Sequence, residues 1–537
     1  MKRASAWLLV GLGTLAAQPP PADPPNTPSA ARMDRPTKQK DEPFVFETWS
    51  KQKLAAFRGS FAVPENRTAH DGRSISIKYV RLPATTRAPG PPIVYLAGGP
   101  GGSGIEAINY RYRLMMAMRE YGDVIALDQR GTGASNVVPV CRSGEVIPTD
   151  RAVPDRLFIE HFRNALKECL AFWRAHGTDL TGYNTVQNAL DLEALRKHLG
   201  ADKLVILGTS YGSTLALEAL RQMPGRIAKV VLSSVRGLNQ TMKLPARADE
   251  YVARLQQAVD SQPEAKAVYP DIGALMRRVH AKLARAPVFV KLKSVHGTTI
   301  RYLLQEHDME LLAGALIEDP ATAAHLLPIY RALDRGIDPG LDHIPVRFLP
   351  DYLASPGEPI ALEGMSVAVN ISSGMTARRR GAILKQARSS ILGRYLDHML
   401  LAFDGVAPEL DIGDGLRANP KSSAPVLVFM GTLDGRTDIA DQREAVSGLK
   451  ALTPVTVRNA GHNLLDNPSP EMFDIIRRFM GGLPIDERTI SVPLPDFAPA
   501  PIQGSTMPVE PRNASGLRAA SVRDPVLATE RQSSDYQ

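Results

Sequence analysis

Two early segments of the chain, 57–63 and 74–81, alternate apolar with polar residues. A period of two is typical of strands with one buried face, so these segments are predicted to form an opening antiparallel pair. Further along, four short apolar runs are separated by helical patterns. These runs begin at Ile93, Val124, Leu204 and Val230. Regular alternation of strand and helix predicts an α/β protein with a doubly wound, mostly parallel sheet.

The clearest helical pattern covers 185–199, with Thr185 as the predicted N-cap and Gly200 as the stop. A second feature is the long, mostly helical stretch between the strand ending at Ser233 and the apolar run starting at Val426. Nearly two hundred residues are too many for a connection inside a compact sheet. We therefore expect this stretch to form a helical cap over the sheet.

The N-terminus has the pattern of an export signal, because Lys2 and Arg3 precede an apolar stretch over 6–17. Twelve residues are too few to span a bilayer, so no stable membrane anchor is expected. The alternative is a hydrophobic N-terminal tail that is retained. The predicted divisions are a signal peptide at 1–17, a proline-rich leader at 18–44, a first part of the core at 45–240, the cap at 241–414, a second part of the core at 415–485 and a C-terminal extension with a flexible tail at 486–537.

Composition excludes several classes of protein. The 537 residues are 44% hydrophobic and 22% charged, enough for a large core and more than one domain. The net charge of +8 comes from 64 basic and 56 acidic residues that are scattered along the chain, so nucleic acid is not an expected partner. The sequence contains no HExxH or CxxC motif, and neither a metal nor another cofactor is predicted.

The only two cysteines, Cys141 and Cys169, are 28 residues apart. In an exported protein they are expected to pair, and closing such a loop stabilises a fold by about 3–4 kcal/mol in the chain-entropy treatment. In a cytoplasmic protein they would instead be two buried thiols.

The segment GTSYG at 208–212 follows the apolar run 204–207 and precedes a helical pattern over 214–220. A strand, a tight glycine-flanked turn and a helix hold a serine hydroxyl clear of the sheet, at the positive end of the helix dipole. Ser210 is therefore the candidate nucleophile. The alternative is an ordinary turn, because small residues cluster in turns by chance.

A serine nucleophile needs a base and a carboxylate that orients it. Asp434 follows the apolar run 426–430. His462 lies 28 residues after Asp434, in a loop that follows a short predicted strand. The order serine, acid, histidine is the one found with this kind of elbow. Asp438 is a rival for the acid, but Asp434 lies nearer to the end of its strand.

Backbone amides must also bind the oxyanion. Tyr211 supplies one, and the glycine-rich loop GGPGGSG at 98–104 supplies the other, with Gly99 favoured over Gly98. The same loop matches a dinucleotide fingerprint, for which Asp123 or Asp128 would bind the ribose. The proline at position 100 argues against that alternative, which also leaves the candidate serine and histidine unexplained.

Taken together, GGPGGSG at 98–104, DQRGTGAS at 128–135, GTSYG at 208–212, and GTLD at 431–434 followed by GH at 461–462 resemble the prolyl iminopeptidase and tripeptidyl aminopeptidase family of serine peptidases. The resemblance covers roughly 45–485 and implies an α/β-hydrolase fold. It implies Ser210 as nucleophile, Asp434 as acid, His462 as base, the amides of Gly99 and Tyr211 as oxyanion donors, and a cysteine pair in the region of Cys141 and Cys169. The implied reaction is cleavage of short peptides from a free N-terminus.

The chain departs from that family in its cap. The tripeptidyl group places a cysteine and one or two acids in a segment to which 365–374 corresponds, and this chain has neither there. Other cap acids could take their place, although most are expected on solvated helix faces. They are Glu306, Glu310, Glu318, Asp319 and Glu363. The basic run 378–380 is expected on an exposed helix face, with binding of a substrate carboxylate as the alternative.

The prediction from sequence is an exported serine hydrolase, an aminopeptidase that forms an acyl-enzyme on Ser210 and acts on a small peptide or ester. One alternative is an esterase or amidase that uses the same residues on an uncharged small molecule. The other is a binding protein that keeps the fold without catalysis. The sequence does not predict an oligomeric state.

Overall fold

The structure is a computed structural model that describes residues 41–69, 72–393 and 402–498. The predicted signal peptide, the leader up to residue 40 and the tail from residue 499 lie outside the described residues.

The core is a ten-stranded sheet in the order β1-β2-β3-β5-β4-β7-β8-β12-β13-β14. The first three strands and β5 pair antiparallel, and all the pairings from β5 through β4 to β14 are parallel. The strands are β1 (Glu42–Glu47), β2 (Lys53–Pro64), β3 (Ser74–Leu82), β4 (Ile93–Leu96), β5 (Val124–Asp128), β6 (Val140–Val146), β7 (Leu204–Thr209), β8 (Ile227–Ser233), β9 (Val288–Lys293), β10 (Thr299–Leu304), β11 (Pro359–Glu363), β12 (Val426–Gly431), β13 (Leu452–Arg458) and β14 (Thr489–Ser491). The predicted opening pair and the mostly parallel sheet are confirmed.

Helices cover both faces of the sheet and build the cap. They are α1 (Ala107–Tyr110), α2 (Tyr112–Met118), α3 (Asp155–Ala175), α4 (Thr185–His198), α5 (Tyr211–Gln222), α6 (Pro245–Asp260), α7 (Pro263–Val268), α8 (Ile272–Arg285), α9 (Glu306–Leu316), α10 (Pro320–Asp334), α11 (Asp351–Ala354), α12 (Gly364–Ser373), α13 (Ala377–Gln386), α14 (Asp414–Arg417), α15 (Ile439–Ala445) and α16 (Pro470–Gly481). None of these described helices is both long enough and apolar enough to cross a membrane.

The start of α4 differs by one residue from the prediction. Asn184 is the N-cap, and its side chain accepts a hydrogen bond from the amide of Gln187. Thr185 is the first helical residue. Both side chains can cap a helix, and the extended backbone at Asn184 decides between them. The predicted stop is confirmed, because Gly200 follows the helix with φ of 66°.

The apolar strands are buried because both faces of the sheet are covered. Along β4, Val94 and Leu96 contribute to the core on one face, whereas Ile93 and Tyr95 contribute to the core on the other. The central strands β4, β5, β7 and β12 are therefore buried at every position rather than at alternate ones, as the continuous apolar runs in the sequence indicated.

The cap has a hydrophobic core of its own. It is built by helices α6 to α11, by the hairpin β9–β10 and by the segment between α10 and α11. The cap is mostly helical, and it also contains strands that the sequence analysis did not predict. Strands β9 and β10 pair antiparallel within it, and β11 pairs with β6, which precedes the cap in the chain. The last four residues of β9, VKLK, alternate with a period of two, which is the signal for a strand. The proposed boundaries at 241 and 414 stay predictions.

Cys141 and Cys169 form a disulfide, which joins β6 to α3. Both residues are buried. Strand β6 also pairs with β11, and β11 leads directly into α12. The disulfide therefore helps to hold α12 in place through these two strands.

Candidate active site

Ser210 occupies the sharp turn between β7 and α5, with φ of 53° and ψ of −123°. A residue other than glycine rarely adopts this conformation, and such strain is typical of functional sites. The two flanking glycines make the turn possible. A Cβ on Gly208 would lie 2.7 Å from the carbonyl oxygen of Gly212, and one on Gly212 would lie 2.1 Å from that of Leu96. The structure thus places Ser210 on a strained elbow whose glycines are required by close packing.

Asp434 lies in the turn after β12 and is completely buried. It accepts hydrogen bonds from the amides of Arg436 at 2.9 Å and Thr437 at 2.7 Å, and from the Thr437 hydroxyl at 2.6 Å. Burial by itself raises the pKa of the Asp434 carboxyl, but the charge of His462 and these hydrogen bonds outweigh it, so the pKa is lowered from its usual value. Asp434 is therefore held as a carboxylate.

His462 follows β13, and its Nδ1 lies 3.0 Å and 3.1 Å from the two carboxylate oxygens of Asp434. Its amide donates to the carbonyl of Glu318 at 2.8 Å, and its carbonyl accepts from the Ser234 hydroxyl at 2.5 Å. With Nδ1 facing the carboxylate, Nε2 is the ring atom that remains for proton transfer. The buried ring is thus oriented by one carboxylate, and its backbone is held on both sides.

Asp438, the rival acid, is engaged elsewhere. It is the N-cap of α15, where its side chain accepts from the amide of Ala440 at 2.8 Å, and it forms an ion pair with Arg254. The structure therefore brings together His462 and Asp434, not His462 and Asp438.

The serine and the histidine lie at the same edge of the sheet. Strands β7, β8, β12 and β13 are adjacent and parallel, so the residues after their carboxyl ends meet. Two consecutive residues at the end of β8 link the serine elbow to the histidine loop. The amide of Ser210 donates to the Ser233 carbonyl at 3.3 Å, and the Ser234 hydroxyl donates to the His462 carbonyl. Ser234 is buried, with a positive φ of 50°. Its role was not predicted, and only its strained conformation distinguishes it.

Within the described part of the chain, the Ser210 hydroxyl has no hydrogen bond to His462. Hydrogen bonds between a nucleophile and its base are often long in free enzymes and tighten when substrate binds. The assignment of nucleophile and base is therefore part of the proposal below.

The glycine-rich loop after β4 lies directly against Ser210. A Cβ on Gly98 would be 3.1 Å from the Ser210 Cβ and 3.7 Å from its hydroxyl oxygen. Gly99 follows with φ of 113°. Tyr211 is the first residue of α5, where an amide has no acceptor inside the helix. This arrangement favours an oxyanion site beside the serine, and of the two loop glycines it is Gly98 that lies against Ser210.

The acids proposed for a dinucleotide site have other partners. Asp128, buried at the end of β5, accepts from the Ser103 hydroxyl at 2.6 Å and from the amides of Ile105 at 3.0 Å and Ala134 at 2.7 Å. Asp123 accepts from the amide of Ala84. The Asp128 carboxylate therefore ties the GGPGGSG loop to the DQRGTGAS turn, and neither acid is available to a ribose.

Arg130, in the same turn, is completely buried. It forms two hydrogen bonds with Asp191, at 2.8 Å and 2.7 Å, and donates to the carbonyls of Glu65 and Gly182. The sequence did not indicate Asp191 because the two partners lie on separate elements. A fully paired buried arginine is a structural anchor for the turn.

Helix α12 contains the cap segment that lacks the expected acids. Val367 and Ala368 pack in one apolar cluster with Tyr211. Asn370 accepts from Arg236 at 3.4 Å, so the helix lies over the nucleophile elbow.

The cap acids are more buried than the sequence analysis predicted, since none of the five lies on a fully solvated helix face. Glu310 and Glu318 are buried, and Asp319 accepts from the Asn463 side chain at 2.5 Å. Burial raises the pKa of both Glu318 and Asp319. The positive charge of Arg436 opposes the rise at Glu318, whereas the charge of Glu318 adds to the rise at Asp319. Burial also raises the pKa of Glu306 and of Glu363.

The basic run 378–380 is exposed at two of its three positions. Arg379 is buried, where it donates to the Met242 carbonyl at 2.7 Å and pairs with Asp441 at 3.4 Å. Arg380 pairs with Asp404 at 2.6 Å. Arg378 and Arg380 are both exposed, so only the middle member of the run is buried.

Comparison with known proteins agrees with this geometry. The profile of the alpha/beta hydrolase fold matches residues 91–295. The serine protease Hip1 of Mycobacterium tuberculosis is 32% identical over 214 residues, which are 38% of this chain and 39% of that protein. A probable proline iminopeptidase of Streptomyces coelicolor is 31% identical over 164 residues, 29% of this chain and 37% of that protein. A tripeptidyl aminopeptidase of Streptomyces lividans is 27% identical over 153 residues, 27% of this chain and 28% of that protein.

The matched region spans at most about two fifths of the length of these curated relatives. Among solved structures, an epoxide hydrolase from an endophytic Streptomyces is 16% identical and covers 81% of this chain and 98% of its own, with a TM-score of 0.34. A likeness of that degree does not bear on the chemistry. The chain has an α/β-hydrolase fold and is similar to serine peptidases.

Proposed function

We propose that the protein is a serine hydrolase with Ser210 as nucleophile, Asp434 as acid and His462 as base, and that its substrates are short peptides with a free N-terminus. The observation that carries the proposal is the His462–Asp434 pair, buried at the same sheet edge as the strained Ser210 elbow. A buried carboxylate that orients an imidazole beside an activated serine is the arrangement needed for covalent acyl transfer.

In the proposed reaction, Nε2 of His462 takes the proton from the Ser210 hydroxyl as its oxygen attacks the scissile carbonyl carbon. The amides of Gly99 and Tyr211 bind the negatively charged oxygen of the tetrahedral intermediate. When the intermediate collapses, the amine leaves with the proton from His462, and an ester remains on Ser210. A water molecule then attacks this ester by the same route, which releases the acid and returns the proton to Ser210.

The names of the relatives favour peptides over other substrates, because all three are described as peptidases. A free N-terminus carries an ammonium, and a closed site that receives it needs a buried carboxylate. Glu318 is our candidate for this role. It is buried on the cap turn whose carbonyl binds His462, and its side chain lies 3.5 Å from Arg436, which is partly exposed.

Export is part of the same proposal. The disulfide between Cys141 and Cys169 supports it, because structural disulfides form and persist in oxidising compartments.

Chromogenic peptides test the substrate class. We expect turnover of a tripeptide p-nitroanilide to fall sharply when its N-terminus is acetylated. E318Q should raise KM for the free peptide and leave hydrolysis of p-nitrophenyl acetate unchanged, whereas E310Q, which alters another buried cap acid, should change neither. Equal turnover of free and acetylated peptides would reject the aminopeptidase assignment and leave the hydrolase assignment standing.

An esterase or amidase acting on an uncharged molecule is a second candidate. The observation that favours it is Arg436, which already compensates the charge of Glu318. The acetylation experiment separates the aminopeptidase from the esterase or amidase. An enzyme for uncharged substrates should hydrolyse free and acetylated peptides at the same rate, because its site does not bind the ammonium. A fluorophosphonate probe tests both against a binding protein without catalysis, since only a hydrolase forms an adduct on Ser210.

A further inference from the structure

The turn between α9 and α10, residues 317–319, contacts both loops that carry the acid and the base. The amide of Gly435, next to Asp434, donates to the Ile317 carbonyl at 3.1 Å. The amide of His462 donates to the Glu318 carbonyl at 2.8 Å. The side-chain amide of Asn463 donates to the Asp319 carboxylate at 2.5 Å. Three successive residues of the cap thus bind the two loops of the core.

Two glycines allow this close approach. A Cβ on Gly435 would lie 2.3 Å from the Ile317 carbonyl oxygen, and one on Gly461 would lie 2.0 Å from a carboxylate oxygen of Asp319. Any larger residue at either position would push the cap turn away from the core. The glycines that follow Asp434 and precede His462 therefore have a packing role distinct from turn formation.

We propose that the cap turn 317–319 is a positioning element for the acid–base pair, in which Asp319 is a positioning residue that holds His462 through Asn463 and Gly461. The proposal rests on the function proposed above. It follows from the geometry, because Asp319 contacts the residues on both sides of His462 while Glu318 holds the His462 amide. The cap is thus part of the catalytic machinery as well as a cover over it.

A purely structural role for Asp319 is the competing explanation, since it is also the N-cap of α10. The chain offers a matched control in Asp271, the N-cap of α8, whose side chain accepts from the amide of Ala274 at 2.8 Å. Both residues begin cap helices, but Asp271 is exposed and does not contact the loops of Asp434 and His462. Loss of a helix cap alone should therefore affect D319A and D271A alike.

The test compares D319A, D319N and D271A in the full chain by turnover of the tripeptide p-nitroanilide and by the rate of fluorophosphonate labelling at Ser210. Displacing a catalytic group by about 1 Å costs on the order of 100-fold, so we expect D319A to lose about 10- to 100-fold in both rates with little change in KM. D319N keeps an acceptor oxygen for Asn463 and should remain within about threefold of wild type. D271A should lose thermal stability and keep its rates.

Deuterium uptake by the peptide containing His462 provides a readout that does not depend on activity. D319A should speed exchange in that peptide, and G461A, which pushes the cap turn outward, should do the same. D271A should not. If D319A matches D271A in both labelling and exchange, Asp319 is only a helix cap and the proposal is overturned. If wild type is not labelled at Ser210, the proposed function fails, while the exchange data still decide whether Asp319 holds the histidine loop.

Discussion

The imidazole of His462 lies within 3.1 Å of both carboxylate oxygens of Asp434, although 28 residues separate them in the chain. Strands β12 and β13 are adjacent and parallel, so the turns that follow their carboxyl ends are neighbours. The carboxylate is also satisfied by two backbone amides and the Thr437 hydroxyl. The pair therefore forms a preorganised unit before any substrate is bound.

Ser210→Ala should abolish hydrolysis without unfolding the protein. Loss of a triad nucleophile costs on the order of 10⁶ in kcat, and the change removes a single hydroxyl oxygen from the elbow. Steady-state kinetics and a thermal melt measure the two effects. Retention of more than about one hundredth of the activity would show that Ser210 is not the nucleophile.

The two aspartates of the turn after β12 should respond differently. D434N should lower kcat by about 10⁴, because an amide cannot hold the imidazole in the required tautomer. D438N should instead keep the cap of α15, because asparagine caps a helix as well as aspartate does, but lose the ion pair with Arg254, lowering the melting temperature while turnover persists. If D438N proves the less active of the two, the assignment of the acid is wrong.

Thr437 is expected to matter through its hydroxyl, which donates to Asp434 at 2.6 Å. T437V keeps the shape but removes the donor, and a hydrogen bond to a charged group contributes about 1.5–3 kcal/mol. We expect T437V to lower kcat about tenfold or more and T437S to restore it. Equal activity of the two variants would assign Thr437 a packing role only.

The buried carboxyl of Glu318 should lower the free energy of unfolding at neutral pH. Burial raises the pKa of its carboxyl, so as the pH rises above the ordinary glutamate value the unfolded chain releases the proton before the folded one does. Stability contributed by the protonated form is therefore lost with rising pH. E318Q should melt at a higher temperature than wild type at pH 7, and the difference should vanish near pH 4.

The control for that measurement is E471Q. The pKa of the Glu471 carboxyl is lowered, principally by its hydrogen bond with Ser469, so this substitution should not stabilise the protein at pH 7. A lower melting temperature for E318Q than for wild type at pH 7 would contradict the prediction.

The double variant C141S/C169S should lose about 3–4 kcal/mol of unfolding free energy, the value expected for releasing a loop of this length. Denaturant unfolding with and without reductant measures it, because reductant should destabilise wild type and leave the double variant unchanged. The effect on catalysis should appear in KM before kcat, since the bridge supports β6, β11 and then α12. Unchanged stability would mean that the bridge does not form in solution.

Features that depend on residues close together in the chain could be predicted from the amino-acid sequence. The apolar run 204–207, the glycines around Ser210 and the following helical pattern specify an elbow, because backbone conformation is set locally by side-chain volume and hydrogen bonding. The same holds for the continuous apolar strands of the sheet and for the turn that carries Asp434.

Which of these residues meet, and what supports them, depends instead on packing between elements that are distant in the chain. Whether His462 faces Asp434 or Asp438, the pairing of Arg130 with Asp191, and the contact of Asp319 with Asn463 involve residues on separate elements. A local pattern does not contain such contacts, because they depend on how two surfaces fit after the chain has folded. The pairing of β6 with β11 and the cap turn on the histidine loop are of this kind, since burial and close packing select them from many possible partners.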